Sequence, residues 1–438
     1  MNKKTIITAL LAITAFAANA QGQLLQYASN RPMGTARGVM PGRVILARDA
    51  DMAKWDGRNG HWWDEGNIVQ TKLDQLWSES LRSLTGKKTD EKAWKALFTY
   101  YNQTHGRGKQ GYRQGELIAV KINLNNTFSP QDRDNDIDQS AEGVIALLRQ
   151  LTREANVLEK DIIVYDASIG FAPRAIPDRL RLPVAHLFPK VRWMSARGSE
   201  GVEAAHWVEN AIQYTNPQVA LGTALPKAVV DATYLINMAL LKGHEMTGVT
   251  LGAKNHFGSI QFPFREHDHS TVSQRNRKEG DYTALVDLMG CPALGGKTML
   301  SVVDGVYGMQ TNVSGPRLGR DQWEHLFGGG WSSCLLMSQD PVAIESVCLD
   351  MLYAEFGDQL GKSDADWSKN AARNCDNYLK EAARGTNAQF GGYRPNGVKT
   401  GSLGVFEHWN NAKEMKYSRN LGKKEGIELI IINKKGMD

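Results

Sequence analysis

Eight short apolar runs, most of them rich in β-branched residues, recur along this 438-residue chain between helical patterns. Strands that are apolar on both faces are typical of a sheet covered on both sides. The pattern therefore predicts an α/β fold on a mostly parallel sheet. The runs are Arg43–Ala47, Leu117–Ile122, Asp161–Asp166, Val191–Met194, Tyr234–Met238, Leu300–Asp304, Cys334–Ser338 and Ile427–Ile432.

Amphipathic patterns lie between these runs, so helices are expected on both faces of the sheet. They are Ile68–Ser83, Glu91–Tyr101, Ser140–Glu154, Ala204–Ile212, Val342–Phe356 and Trp367–Ala383. Gln26–Trp63 and Phe390–Leu421 show little periodicity but carry several aromatic residues. Because aromatic rings are costly to leave in water, we expect these N- and C-terminal segments to wrap the core as irregular chain.

The first twenty residues have the pattern of a secretory signal peptide. Two lysines precede the apolar run Thr5–Phe16, and Ala18-Asn19-Ala20 is a small-residue cleavage site. Cleavage after Ala20 would place residues 21–438, expected to form one α/β domain, in the periplasm or outside the cell. A short N-terminal anchor is the alternative. No later run is long and apolar enough to predict an integral membrane segment.

Composition argues against several classes of partner and cofactor. The formal net charge of +5 is too mild to indicate nucleic-acid binding. The four cysteines (Cys291, Cys334, Cys348 and Cys375) form no CxxC motif, so their spacing supports no zinc or iron–sulfur site. Buried free thiols and one or two disulfides are both open. No phosphate-binding or cofactor fingerprint is evident.

The segment Leu241–Ser259, LKGHEMTGVTLGAKNHFGS, is the strongest indication of a ligand site. It follows an apolar run that predicts a buried strand. We expect Lys242 and His244 to lie in a glycine-rich turn, followed by a short helix over Thr250–His256. Strands that run into such turns commonly form ligand sites in α/β proteins.

This predicted helix would start at an N-cap, Thr247, and stop at Gly258. Its N-terminal N–H groups would suit an anion, with Lys254 strengthening the preference and Asn255 orienting the ligand. The alternative is that Lys254 reaches solvent and His256 only caps the helix.

Polar residues at other predicted strand ends extend this site. Lys121 lies within an otherwise apolar strand and therefore needs a carboxylate, an anion or a shifted pKa, unless the strand is an edge strand. Asn123 follows it. Asp304 ends another strand and is a candidate base or lysine partner, or else a helix cap. Since carboxyl ends of parallel strands share one edge, these groups are expected around one crevice.

Three further segments carry weaker signals. Glu407, His408 and Trp409 would suit a sugar, or belong to an ordinary wrapping segment. The acidic run from Asp132 to Asp138 begins like a calcium loop, but lacks the turn glycine and the final glutamate at the required positions, so a solvated loop is favoured. His267 and His269 would bind a metal only with partners that the sequence does not identify.

Several of these motifs together resemble the family named for a domain of unknown function, number 362. They are Lys121-x-Asn123, Lys242-x-His244 with TGVTLGAKNHFG, Val303-Asp304-Gly305, Gly315-Pro316 and Asp340-Pro341-Val342-Ala343. The tail beginning SLGVFEHWN is similar to that of exported bacterial members. The resemblance implies an α/β core over about residues 117–356. Some members carry ferredoxin-like cysteine clusters, which this chain lacks.

Three functions are compatible with these residues. One is an exported hydrolase or lyase acting on a polar or anionic small molecule or glycan fragment. Lys121, Lys242, Lys254, Asn123 and Asn255 would bind the substrate. His244 or Asp304 would be the general acid or base. The second is a ligand-binding protein without catalysis, and a redox-associated protein is the third. A His244–Asp304 pair beside the lysines would favour catalysis, and lysines alone would favour binding.

Overall fold

The computed structural model describes residues 28–168, 173–219, 221–261, 270–362 and 371–433. A ten-stranded sheet runs through them. Its strands are β1 Arg43–Arg48, β2 Ile118–Lys121, β3 Ile162–Asp166, β4 Arg192–Ser195, β5 Glu203–Ala204, β6 Tyr234–His244, β7 Gly248–Thr250, β8 Thr298–Met309, β9 Cys334–Ser338 and β10 Glu428–Asn433.

The sheet is mixed but mostly parallel, as predicted. Its order is β10-β1-β9-β8-β6-β2-β3-β4-β5, and β7 folds back on β6 as a hairpin. Only β9 within the ordered path runs antiparallel to its neighbours, β8 and β1. The strands β8, β6, β2 and β3 are mutually parallel, so their carboxyl ends meet at one edge.

Helices cover both faces of the sheet because successive strand residues alternate between two apolar clusters. One cluster receives α1 Gln70–Thr85, α2 Asp90–Thr104, α3 Ala141–Arg149 and α4 Asp178–Leu187. The other receives α5 Lys227–Asp231, α6 Gly252–Phe257, α7 Ala284–Gly290, α8 Glu324–Phe327, α9 Pro341–Phe356 and α10 Cys375–Arg384.

All eight predicted strands are present, and four predicted helices correspond to α1, α2, α3 and α9. The predicted helix Ala204–Ile212 is wrong. Its first residue belongs to β5, and Trp207–Val208 pairs with Leu225–Pro226. Backbone pairing there outweighs the helical pattern. The sixth prediction corresponds in part to α10, and its residues 367–370 lie outside the described residues.

Irregular chain at both ends wraps this core, as expected. Met33–Gly34 pairs with Val405–Phe406, so the N-terminal segment is joined to the C-terminal one.

Asp340 caps α9 through the N–H groups of Val342 and Ala343. The four cysteines are buried free thiols. No helix in the described ranges is long and apolar enough to cross a membrane.

Candidate functional site

Lys121 is buried in the centre of the sheet, where its ammonium is paired with a carboxylate. Its strand lies between β6 and β3, so the edge-strand alternative is wrong. The Nζ atom lies 3.1 Å from Asp166 Oδ2 and also donates to the carbonyl of Ile122 and to Asn255 Oδ1. Burial lowers the pKa of Lys121, and Asp166 opposes this effect. Lys121 is therefore an internally satisfied group.

Asn255 joins α6 to the strand ends. Its Oδ1 accepts from Lys121 and from Asn123 Nδ2, and its Nδ2 donates to Asn237 Oδ1 at 2.7 Å. Gly258 allows this close approach, since a Cβ there would lie 2.9 Å from Lys121 Nζ. The structure thus brings together three of the predicted binding residues, Lys121, Asn123 and Asn255.

The segment Leu241–Ser259 folds differently from the prediction. Lys242 and His244 belong to strand β6, which turns back into β7 with Lys242 opposite Thr250. The turn was predicted here because glycine is typical of turns, and Gly243 lies between the two residues. It occupies a strand, where a Cβ would lie 1.9 Å from the carbonyl oxygen of Gln310.

The short helix α6 has a different start, and a carboxylate lies at its N-terminus. Its N-cap is Leu251 rather than Thr247, whereas Gly258 does end it, as predicted. The N–H of Ala253 donates to Glu345 Oε1 at 2.5 Å. A carboxylate of α9 therefore occupies the position that the sequence assigned to an anionic ligand.

Lys242 is a fully buried ammonium that lacks a hydrogen-bond partner among the described residues. Burial lowers its pKa to about 8, while Asp138 and then Asp136 act in the opposite direction. Asp138 is itself bonded to Arg179 and to the N–H groups of Asn125 and Asn126. An ammonium carries three donors, and a buried one normally has acceptors for them.

Lys254 is the most accessible of the three lysines and is partly exposed. Its Nζ lies 4.2 Å from the ring centroid of Phe257. Burial, followed by the positive charges of Lys121 and Arg174, lowers its pKa to about 7. We call Lys121, Lys242, Lys254, Asn123 and Asn255 the lysine cluster.

Several groups around the cluster were missed by the sequence analysis. Asp166 is the last residue of a predicted strand, and its position beside Lys121 followed from parallel pairing. Arg174 comes from a loop and had no signal. Asp138 ends the acidic run that was expected to be a solvated loop, but it is buried. Asn237 donates to the carbonyl of Gly252 and lies 3.0 Å from His256 Nε2. Burial lowers the pKa of His256 to about 3, so this ring is neutral.

The predicted acid–base residues lie in separate hydrogen-bond networks. Asp304 accepts from Gln139, Ser140 and the N–H of Val306, and none of these donors belongs to His244. His244 Nδ1 accepts from the N–H groups of the turn that follows β6. Burial raises the pKa of Asp304. Asp304 therefore lies at the start of α3 and is not hydrogen-bonded to His244.

Glu407, His408 and Trp409 have their described partners in the C-terminal segment and in α9 and α10, not in the lysine cluster. Glu407 accepts from the N–H groups of Ser418 and Ile427. His408 is buried between two carboxylates, and Trp409 is 4% exposed. These buried side chains hold the C-terminal segment in place, so a sugar would find no exposed surface on them.

The His408 imidazole lies 2.5 Å from Asp350 Oδ1 and 3.2 Å from Asp376 Oδ2. Asp350 also accepts from Tyr417 and from the N–H of Trp409. Burial lowers the pKa of His408, but the two carboxylates outweigh it and raise this pKa well above its usual value. A charged imidazole thus links α9 and α10 to the tail.

The other weak signals give no site. Within the ranges that the structure covers, no cluster of three or more His, Cys, Asp and Glu side chains suits a metal ion. His267 and His269 lie outside the described residues. An open groove of about 480 Å³ lies beside α2, lined in part by Lys87, Lys92 and Lys95. These lysines are solvent exposed, so they lack the buried, unpaired character of Lys242.

Comparison with known families identifies the relatives of this chain. The family model of a domain of unknown function, DUF362, matches residues 118–350, which is more than half of the sequence. The matched region includes β2, β6, β8 and α6, and therefore the whole lysine cluster. No curated protein matches the chain. The chain belongs to the DUF362 family.

Proposed function

We propose that the lysine cluster binds a small anionic molecule. The observation that carries the proposal is the Lys242 ammonium, which is fully buried without a hydrogen-bond acceptor in the described part of the chain. Each charge-assisted hydrogen bond to an anion is worth about 1.5–3 kcal/mol. A carboxylate, phosphate or sulfate at Nζ would supply the missing acceptors.

The charges around Lys242 support an anion over a cation. Lys121 is already paired with Asp166, and Asp138 with Arg179, so these ion pairs add little net charge. Lys254 contributes a further positive group when protonated. Asp136 is partly exposed, and burial and the neighbouring aspartates raise its pKa to about 6. Asp136 makes no hydrogen bond to Lys242 Nζ.

The amides of the cluster favour a ligand that also carries hydroxyl groups. Asn123 Oδ1 is buried and accepts no hydrogen bond from the described residues. A hydroxyl donor would satisfy it. A sugar acid or a charged glycan fragment has both groups, which is the ligand class we favour. We further propose that the protein is exported, as the signal-peptide pattern indicates, and meets such ligands in the periplasm or outside the cell.

Binding without catalysis is the form that the geometry supports best, since His244 and Asp304 do not pair. An enzyme of hydrolase or lyase type is the second candidate. It is favoured by Lys254, whose pKa of about 7 lets the amine exchange protons near neutral pH. In that case the general base would be Lys254 rather than His244 or Asp304.

A thermal-shift experiment tests the anion site. Phosphate, sulfate and galacturonate are compared with neutral galactose on the mature protein and on Lys242→Met. A ligand at a hundred times its Kd stabilises the native state by about 2.7 kcal/mol. Lys242→Met should fold, because an apolar chain removes a buried charge, but should lose the shift.

Lys413→Met is the matched control, since Lys413 is exposed. It should retain the full shift. Equal shifts in Lys242→Met and the unchanged protein would refute the proposed site, and so would equal shifts with galactose and galacturonate.

A further inference from the structure

The open groove beside α2 is separate from the lysine cluster. It has a volume of about 480 Å³ and lies between this helix and the chain that precedes β1. Tyr101 of α2 donates its hydroxyl to the carbonyl of Thr233, just before β6 begins. Lys242 lies eight residues after Tyr234, the first residue of β6, which is about 26 Å at about 3.3 Å per residue. The groove therefore lies toward the opposite edge of the sheet from the lysine cluster.

The lining of the groove carries positive charge. Its described side chains include Lys87, Lys92 and Lys95 and no Asp or Glu. All three lysines are exposed, and none has an ion-pair partner among the described residues. Lys92 and Lys95 are three residues apart on α2, so their Cβ atoms lie about 5–6 Å apart and their like charges repel. An anionic ligand in the groove would relieve this repulsion.

The rest of the polar lining can bind hydroxyl groups, and the walls of the groove are held in place. Two hydroxyls and an amide line it beside the lysines, on Thr99, Tyr100 and Gln103. The Tyr100 hydroxyl accepts from the N–H of Gly38 at 2.9 Å, which leaves its own proton for a ligand. The N–H of Val39 donates to Gln339 Oε1 at 2.9 Å. Because these bonds fix the chain that faces α2, a ligand would bind with little ordering of the protein.

This lining favours a charged carbohydrate over a peptide or a membrane. Protein interfaces depend on large side chains in desolvated apolar pockets, and membrane-surface helices depend on exposed apolar ones. The described apolar surface of the groove comes from Val39, Ala96 and the ring of Tyr100, which is a small patch among many donors. Ammonium, hydroxyl and amide groups together match a sugar unit that carries a carboxylate and several hydroxyls.

We propose that this groove binds a polyuronate, a linear polysaccharide with a carboxylate on each sugar unit. The lysine ammoniums bind successive carboxylates, and Thr99, Tyr100 and Gln103 bind the hydroxyls between them. The stripe from Lys92 to Gln103 extends over about 16 Å at about 1.5 Å per residue, so it contacts several units of the polymer. This site does not depend on the proposed function, since the groove binds the polymer whether or not Lys242 binds an anion.

Biolayer interferometry of the mature protein on immobilised polygalacturonate tests the groove. Binding by the unchanged protein should weaken as salt is raised. The double variant Lys92→Gln/Lys95→Gln should fold, because glutamine is a good helix former, and should bind about tenfold more weakly. Lys413→Gln/Lys424→Gln is the matched control, since both lysines are exposed and lie outside the groove lining. Equal affinities of the two double variants would overturn the proposal.

Ala96→Phe fills the groove but leaves its three lysines in place, and it should also weaken binding. Unchanged affinity would mean that diffuse surface charge holds the polymer, which would overturn the groove. Equal binding of methyl-esterified polygalacturonate or of polyglutamate would overturn the polyuronate. Lys242→Met should bind the polymer as the unchanged protein does. Loss of binding in that variant alone would assign the polymer to the lysine cluster, whereas a failed galacturonate thermal shift with polymer binding intact removes only the anion site.

Discussion

Lys121→Met should be strongly destabilising, because it leaves the Asp166 carboxylate buried without its cation. Asp166 is 1% exposed and lies 3.1 Å from Lys121 Nζ. It would keep the N–H groups of Leu124 and Ser168 as donors. Removing one partner of a buried ion pair costs about 3–5 kcal/mol of unfolding free energy. The two remaining donors place the expected cost near the lower end, at about 3 kcal/mol.

The assay is urea unfolding of the unchanged protein, Lys121→Met, Asp166→Asn and the double variant. The single changes should each lower the free energy of unfolding. The double variant should lose less than their sum, by about 0.5–3 kcal/mol, since the second change removes a charge already without a partner. Exposed Lys95→Met should stay within about 0.5 kcal/mol of the unchanged protein. Strict additivity, or single losses as small as that of Lys95→Met, would refute the buried ion pair.

Three further changes test other parts of the structure. His408→Ala should cost about 3–5 kcal/mol, because it leaves Asp350 and Asp376 buried without the imidazolium. Since the folded pKa of His408 is raised, its stabilisation is complete below the unfolded pKa of about 6.5. This stabilisation is lost only as pH rises through the folded pKa of His408, and unfolding midpoints measured from pH 5 to 10 would show the loss. A cost of His408→Ala under about 0.5 kcal/mol would contradict the buried ion pairs. His256 has a folded pKa of about 3, so protonation of the unfolded chain destabilises the fold as pH falls below about 6.5. His256→Gln should flatten this acid-side loss in melting scans, and an unchanged slope would argue against a neutral ring. Gly258→Ala should cost about 1–3 kcal/mol and weaken anion binding in calorimetry, because its Cβ would lie 2.5 Å from a serine hydroxyl; wild-type affinity would contradict the close packing.

The sequence was informative about the sheet because buried strands leave a strong local signal. Each of the eight apolar runs pairs in the sheet. The helix predicted over Ala204–Ile212 is wrong because this segment pairs with Leu225–Pro226, and the local periodicity of the sequence carries no information about that pairing. The prediction that Lys242 and His244 lie in a turn is wrong. Gly243 between them lies inside a strand, where the lack of a side chain lets another chain segment pack closely.

Parts of the site were predictable for a similar reason. Lys121 ends a parallel strand and Asn123 follows it, as predicted, and Asn255 reaches both from α6. The lack of a hydrogen-bond partner for Lys242 among the described residues was not predictable, because it depends on which acceptors lie near its Nζ. Glu407 and His408 have polar side chains typical of a sugar site. Their partners, however, are tail N–H groups and buried carboxylates that lie distant in sequence.

The most direct test of the anion site is a crystal of the mature protein soaked in selenate, whose anomalous scattering locates the ion. An anomalous peak within hydrogen-bonding distance of Lys242 Nζ, close to Lys254 and absent from crystals of Lys242→Met, is the predicted result. Selenate only at exposed lysines such as Lys87 and Lys92, with a side-chain acceptor bonded to Lys242, would contradict it.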